Sequence, residues 1–171
     1  MSQQDKLAFD AVAQIYDSSF SQSLTGSLQR GRTRAFLDKE LGTKSCILEI
    51  NCGTGEDLIW LAFKGHTVRA TDISPAMIEV CKKKIELHSL NNAKASVCSF
   101  SETDRHFSAG SFDLVFSNFG GLNCISPEEL KTVSEKLVSL LKPNGRLVIV
   151  LMGRKCLWET AYFLFKMKPK E

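Results

Sequence analysis

Residues Ile47 to Asp57 read ILEINCGTGED, and this stretch decides the fold. An apolar run rich in β-formers leads into a glycine-bearing turn, after which Leu58, Ile59, Leu61 and Ala62 supply the apolar face of a helix. The predicted order is strand, tight turn, helix. Glycines in such a turn let backbone approach a ligand closely, and the helix behind it presents unpaired N–H groups to whatever binds there. The stretch therefore reads as a site for a nucleotide-like ligand.

The pattern repeats downstream. The first strand, Cys46 to Ile50, is continuously apolar apart from Glu49, as expected of a central parallel strand covered on both faces, so its lone carboxylate stands out. The helix after the turn runs to Lys64 and stops at Gly65, and TVRATD from Thr67 forms a second strand that ends in Asp72. Ser74 caps and Pro75 opens the next helix, which carries Met77, Ile78, Cys81 and Ile85 and ends near His88. Ala93 to Phe100 reads as a third strand, the Asp104 to Gly110 region as loop or a short helical turn, and Phe112 to Ser117 as a fourth strand. Ser126 and Pro127 start a helix with Leu130, Val133, Leu137, Leu140 and Leu141 on one side, closed by Pro143, Asn144 and Gly145, and Arg146 to Met152 is the fifth strand. Strands alternating with helices imply an α/β fold with a doubly wound, mainly parallel sheet, whose ligands bind at the carboxyl ends of the strands.

Upstream, apolar residues from Lys6 to Phe20 recur at helical spacing. A second helix is expected from Leu24 to Leu41, with Leu28, Ala35, Phe36 and Leu37 inward and Arg30, Arg32 and Arg34 mostly outward, ended by Gly42. Downstream of Gly153 one more apolar segment carries Leu157, Trp158, Ala161, Tyr162, Phe163 and Phe165 and halts at KMKPKE. An apolar helix there should feed another strand, so a chain truncated at its C-terminus is expected. The organisation is one domain over 1–171, with N-terminal helices in 1–42, a ligand-binding core in 45–152 and a closing helix in 154–168.

With 171 residues, 43% hydrophobic and 24% charged, the chain fits one ordinary globular domain rather than a disordered or membrane protein. The net charge of +3 and the scattered Lys and Arg argue against a nucleic-acid binder, and Lys82 to Lys84 reads as a solvated helix face. The N-terminus lacks a basic region followed by an apolar stretch, and no run approaches the ~20 apolar residues that span a bilayer, so a cytoplasmic protein is expected. Six cysteines without a C-x-x-C pair read as reduced thiols, with no metal site.

The dinucleotide fingerprint G-x-G-x-x-G fails, because counting from Gly53 and Gly55 places Leu58 where a third glycine belongs. The turn has instead an acid at Glu49, then Asn51, Gly53 and Gly55 at alternate positions, with Asp72 closing the next strand. LEINCGTG, ATDISPAMI, FDLVFSNFGGLNCI and LKPNGRLVIV, in this order and spacing, together resemble the class I S-adenosylmethionine-dependent methyltransferases over most of Cys46 to Met152. The opening AFDAVAQIYD is similar to the N-terminal helix of the small-molecule members, in which the tyrosine of a YD pair, here Tyr16, lines the cofactor entrance.

The resemblance implies a Rossmann-like sheet in the order 3-2-1-4-5, lacking the last two strands of the family. It implies that Glu49, Asn51, Cys52 and Gly53 surround the methionine part of S-adenosylmethionine, with Gly55 completing the turn. It gives Asp72 the ribose hydroxyls, a role that its place about twenty residues past a glycine turn supports independently. Ile73 and Met77 would face the adenine, Ser99 and Phe100 would border its edge, and Asn118 and Phe119 would sit beside the sulfonium. Two departures stand out. The third motif has Ser99 where many members carry an acid, with Glu102 and Asp104 further along. Asn51 replaces the first glycine, although asparagine is the residue best able to keep left-handed backbone.

Methyl transfer from a sulfonium needs chiefly a well-aligned acceptor. No motif announces a general base: His66 reads as structural, His88 as a helix-end cation, and His106 as the histidine nearest the site. Asn118 to Cys124, NFGGLNC, is the acceptor-side candidate because adjacent glycines permit close approach, while Cys124 reads as packing. The N-P-P-aromatic sequence of base-directed methyltransferases is missing, which points to a small-molecule acceptor, with no membrane and self-association through the C-terminal edge as a further expectation. RNA or protein methylation, or a non-catalytic cofactor-binding fragment, are the alternatives.

Overall fold

The computed structural model describes residues 9–153 and resolves why the glycine turn lies at the centre of the molecule. The near-continuous apolar run of β1 (Cys46–Ile50) suits a strand with neighbours on both sides, and it pairs in parallel with β2 (Thr67–Asp72) and with β4 (Phe112–Ser117). β3 (Ala93–Val97) lies outside β2, and β5 (Leu141–Ile149) outside β4, which gives the order β3-β2-β1-β4-β5. That is the expected order. The chain winds outward from β1 and then returns to its other side, so a crevice opens between the carboxyl ends of β1 and β4.

Alternation along β1 divides the core. Ile47 and the residues in phase with it face α1 (Leu24–Glu40), α2 (Glu56–Phe63) and α3 (Pro75–Leu87), where Leu37, Leu58, Leu61, Ile78 and Cys81 are buried. Leu48 and Ile50 face α5 (Pro127–Ser139), packed through Val133 and Leu137, with Leu140 just beyond. A short helix α4 (Thr103–His106) packs beside α5. α5 starts with a capping box between Ser126 and Glu129 and Pro127 in its first turn, features worth about 1 kcal/mol. Leu137 is fully buried, so Leu137→Ala would cost ~2–5 kcal/mol.

Several boundaries differ from the sequence expectation. β3 stops at Val97: Cys98 still donates its N–H to the carbonyl of Asp72, but Phe100–Glu102 then turns into a 3-10 helix. α5 ends at Ser139, and Pro143 to Gly145 belong to β5, where the register jumps between Phe112↔Leu141 and Leu114↔Arg146. β5 pairs on one side only among the described residues, where a proline costs no ladder bond. The N-terminal segment is not one regular helix: 9–12 is helical, a turn follows, and Asp17–Ser21 is π-helical. On α1 the expected faces are exchanged in part. Leu37 is buried, but Leu28 and Phe36 are 61% and 49% exposed, while Arg30 is buried and Arg34 half-buried. The segment 154–168, with Trp158, Tyr162, Phe163 and Phe165, lies outside the described residues. Among the described residues no helix is long and apolar enough to cross a membrane.

Candidate functional site

The turn after β1 needs left-handed backbone at alternate residues, and the chain supplies it with φ of +51° at Asn51, +53° at Gly53 and +82° at Gly55. Asn51 thus keeps the geometry a glycine would provide. The Cys52 N–H bonds the carbonyl of Thr71 at 3.0 Å and the Gly53 N–H bonds Asp72 Oδ2 at 2.8 Å, so the turn is fastened to the end of β2. The two glycines differ in kind. A Cβ at Gly55 would overlap Cys81 Sγ, whereas one at Gly53 would meet nothing within 4 Å and would project into open space.

That open space is a cleft of about 700 Å³, counting its open mouth. Asn51 and Gly53 line it at the turn, Asp72, Ile73 and Met77 follow from β2 and α3, and Cys98, Ser99 and Phe100 come from beyond β3. Phe119 to Gly121 and Cys124 line the β4 side, and Phe9 and Tyr16 belong to the N-terminal segment. This segment is bound to the core by two acids. Asp10 accepts from Ser74 Oγ and from the Ala76 N–H, and Asp17 accepts from Thr54 Oγ1 at 2.6 Å and pairs with Lys84. Burial works against the Asp17 carboxylate, but the bonds from Lys84 and Thr54 hold its pKa below the ordinary value. Tyr16 is pushed up by burial, so its phenol stays protonated at neutral pH.

Asp72 is the acid of the cleft wall. Its Oδ1 accepts from the Ser74 N–H at 2.9 Å and its Oδ2 from the Gly53 N–H, which leaves further lone pairs on a partly buried carboxylate for a ligand. Burial raises its pKa, and the backbone N–H groups of Ser74, Gly53 and Ile73 offset part of that rise.

Of the residues singled out from the sequence, Tyr16, Asn51, Gly53, Asp72, Ile73, Met77, Ser99, Phe100 and Phe119 line this cleft. Glu49, Cys52, Gly55 and Asn118 do not. Cys52 and Gly55 shape the turn from behind. Glu49 shares the face of Ile47 and is only 2% exposed below the turn. Its Oε2 is the sole carboxylate oxygen among the described residues that is buried without a hydrogen-bond partner, and burial, then Asp57, drives its pKa well above the ordinary value. Glu102 and Asp104 are also off the wall, and Asp104 pairs with Lys136.

Asn118 belongs to a buried network that the sequence did not announce. Asp57, on the first turn of α2, accepts from Arg30 Nη1 at 2.6 Å, Arg34 Nε at 2.8 Å and Asn118 Nδ2 at 2.8 Å. The Arg30 guanidinium also lies 4.5 Å from the centroid of Phe119, which packs against Phe20 in a T-shaped pair. Arg30 and Arg34 therefore turn inward because α1 carries the counter-ions of a buried acid. The spacing of Arg30 and Arg34 at i and i+4 places both on one face, the one available signal.

The histidines fall outside the cleft wall. His66 is buried and its Nδ1 accepts from the Ser45 N–H at 3.2 Å, a structural role. His88 caps α3 against Phe63, and His106 is exposed at the end of α4. Cys124 is exposed and lines the cleft, contrary to the expectation of packing. Cys98 on the same wall is pushed by burial to about 11, so its thiol is not a nucleophile at neutral pH.

These residues fit S-adenosylmethionine. The space a Cβ at Gly53 would take is free for a ligand, Asp72 presents acceptors for a diol, and Ile73, Met77 and Phe100 offer apolar surface to a purine. The sequence profile described as a methyltransferase domain matches residues 47–145. A demethylmenaquinone methyltransferase of Clavibacter sepedonicus is 30% identical over 141 residues, covering 82% of this chain and 55% of the relative. A malonyl-[acyl-carrier protein] O-methyltransferase of Priestia megaterium is 29% identical over 154 residues, covering 86% and 51%. Among solved structures, the PH0226 protein of Pyrococcus horikoshii superposes with a TM-score of 0.71 at 22% identity, covering 90% of this chain and 72% of that one. The chain spans about half the length of these curated relatives.

Proposed function

From the premise that this chain belongs to the methyltransferase-domain family, whose cofactor is S-adenosylmethionine, we propose that it methylates a small-molecule acceptor at the cleft beside Phe119. The observation that carries the reading is the Gly53–Asp72 cradle, a carboxylate held by two backbone N–H groups beside a turn with room for a ligand. When bound, S-adenosylmethionine supplies an electrophilic methyl group with a good leaving group. The chain's own contribution is placement: Asp72 and the turn fix one partner, and the β4 exit shapes the space for the other. The only carboxylate on the described wall is Asp72, already committed to the turn, and no histidine or lysine joins it. Alignment rather than proton abstraction is the catalysis these residues support.

The small-molecule class is supported by two of the relatives, one named for demethylmenaquinone and one for malonyl-[acyl-carrier protein], and by the weak net charge. The test is transfer of a radiolabelled methyl group to pools of metabolites, RNA and peptides. Label is expected in the metabolite pool; label confined to RNA or peptide would overturn the acceptor class.

A further inference from the structure

Asn51 stands where the family pattern has its first glycine, and its side chain crosses from the exit of β1 to the exit of β4. Nδ2 donates to the backbone carbonyl of Asn118 at 2.7 Å, and Oδ1 accepts from Ser117 Oγ at 2.6 Å. Ser117 is fully buried, and this is the bond that satisfies its hydroxyl. The third contact is steric. A Cβ at Gly121 would overlap Asn51 Cγ and lie 2.6 Å from Nδ2 and 2.7 Å from Cβ, and these are its three nearest atoms. Gly121 is not among the residues with positive φ, so the side chain of Asn51, not the backbone, demands a glycine there.

Three residues of one segment, Ser117, Asn118 and Gly121, are thus shaped around one side chain. Between them lies Phe119, whose φ of +54° is unusual for an aromatic residue and whose N–H is held by Asn118 Oδ1 at 2.9 Å. A glycine at position 51 would keep the turn but leave the Ser117 hydroxyl buried without a partner and free one side of the segment.

We propose that Asn51 is a positioning residue for the acceptor side: it latches the cofactor turn to the Ser117–Gly121 segment and so sets where Phe119 stands on the cleft wall. This rests on the proposed function in one respect, that the segment after β4 meets the acceptor. The latch also gives the departure from the family pattern a reason, since the exchange of glycine for asparagine adds two bonds without altering the backbone.

The test is a double-mutant cycle of Asn51→Gly and Gly121→Ala, read in urea unfolding, with 4-fluorophenylalanine placed at position 119 for fluorine NMR. Gly121→Ala should destabilise the native chain and be tolerated once Asn51 is glycine, a coupling of at least about fivefold in the unfolding equilibrium. The resonance at position 119 should shift or broaden in Asn51→Gly. Asn51→Asp keeps the side-chain size, the left-handed tolerance and the acceptor for Ser117, but replaces the donor to Asn118, so it should move the resonance the same way without a change of volume. Additive effects together with an unchanged resonance in both Asn51 variants would overturn the latch. All these readouts use the free protein, so a failure of S-adenosylhomocysteine to bind would count against the proposed function alone.

Discussion

The two walls of the cleft are built on different principles. On the β2 side the wall is held by backbone: Gly53 and Ser74 donate to Asp72, and Cys52 donates to Thr71 behind it. On the β4 side they are held by buried side chains from distant parts of the chain, with Arg30, Arg34 and Asn118 meeting on Asp57 and Asn51 reaching Ser117 and Asn118. The first wall depends on a few residue types, glycine and one acid. The second depends on every member being present, because removing one leaves the others buried and unpaired.

That difference predicts where single substitutions hurt most. Asp57→Ala should have the largest effect, because it removes the carboxylate that both the buried Arg30 and the half-buried Arg34 are paired with; a loss of ~3–5 kcal/mol in chemical unfolding is expected. A loss below about 1 kcal/mol would mean that the β4 wall is not a network. Asp72→Ala should act on binding more than on folding: two charge-assisted bonds to a ribose correspond to roughly a hundredfold or greater loss of S-adenosylhomocysteine affinity by calorimetry. An affinity within threefold of the native chain would remove Asp72 from the site.

Glu49→Gln sharpens the boundary between the walls, since Glu49 lies beneath both. Burial raises its folded pKa well above the ordinary 4.5, so its contribution to stability is fully present below that value and is lost as pH rises through the folded value. The glutamine variant escapes this loss. Its melting temperature should gain on that of the native chain from pH 5 to pH 8; a constant difference would show that Glu49 is ionised throughout. The smallest effect is expected far from either wall. Arg146→Ala breaks an exposed pair with Glu40 and should change stability by about 0.5 kcal/mol or less.

The backbone-built wall was the legible one. β1, β2 and β4 run over the residues that their apolar patterns mark, the order of strands follows from the alternation with helices, and the turn and Asp72 are adjacent because the winding of the fold makes them so. On the β4 side Asn51, Asn118 and Phe119 were marked by their positions, but the side-chain network that holds them was not legible. Asn118 and Asp57 are 61 residues apart, and no local pattern couples them. Helical periodicity on α1 also misled, because an inward arginine scores as polar and an exposed Phe36 as core, while the real inward face is set by the charge on Asp57. The irregular β5 and the π-helical Asp17–Ser21 escaped for a similar reason, being set by pairing and by ionic contacts with the core rather than by propensity.

The central claim is that the cleft between Asp72 and Phe119 holds S-adenosylmethionine through the turn at Gly53. The most direct measurement is a thermal-shift comparison of S-adenosylmethionine, S-adenosylhomocysteine and NAD on the native chain and on Asp72→Ala. Stabilisation of the native chain by the first two ligands, none by NAD, and loss of the response in Asp72→Ala is the predicted result. Equal stabilisation by NAD, or an undiminished response in Asp72→Ala, would contradict it.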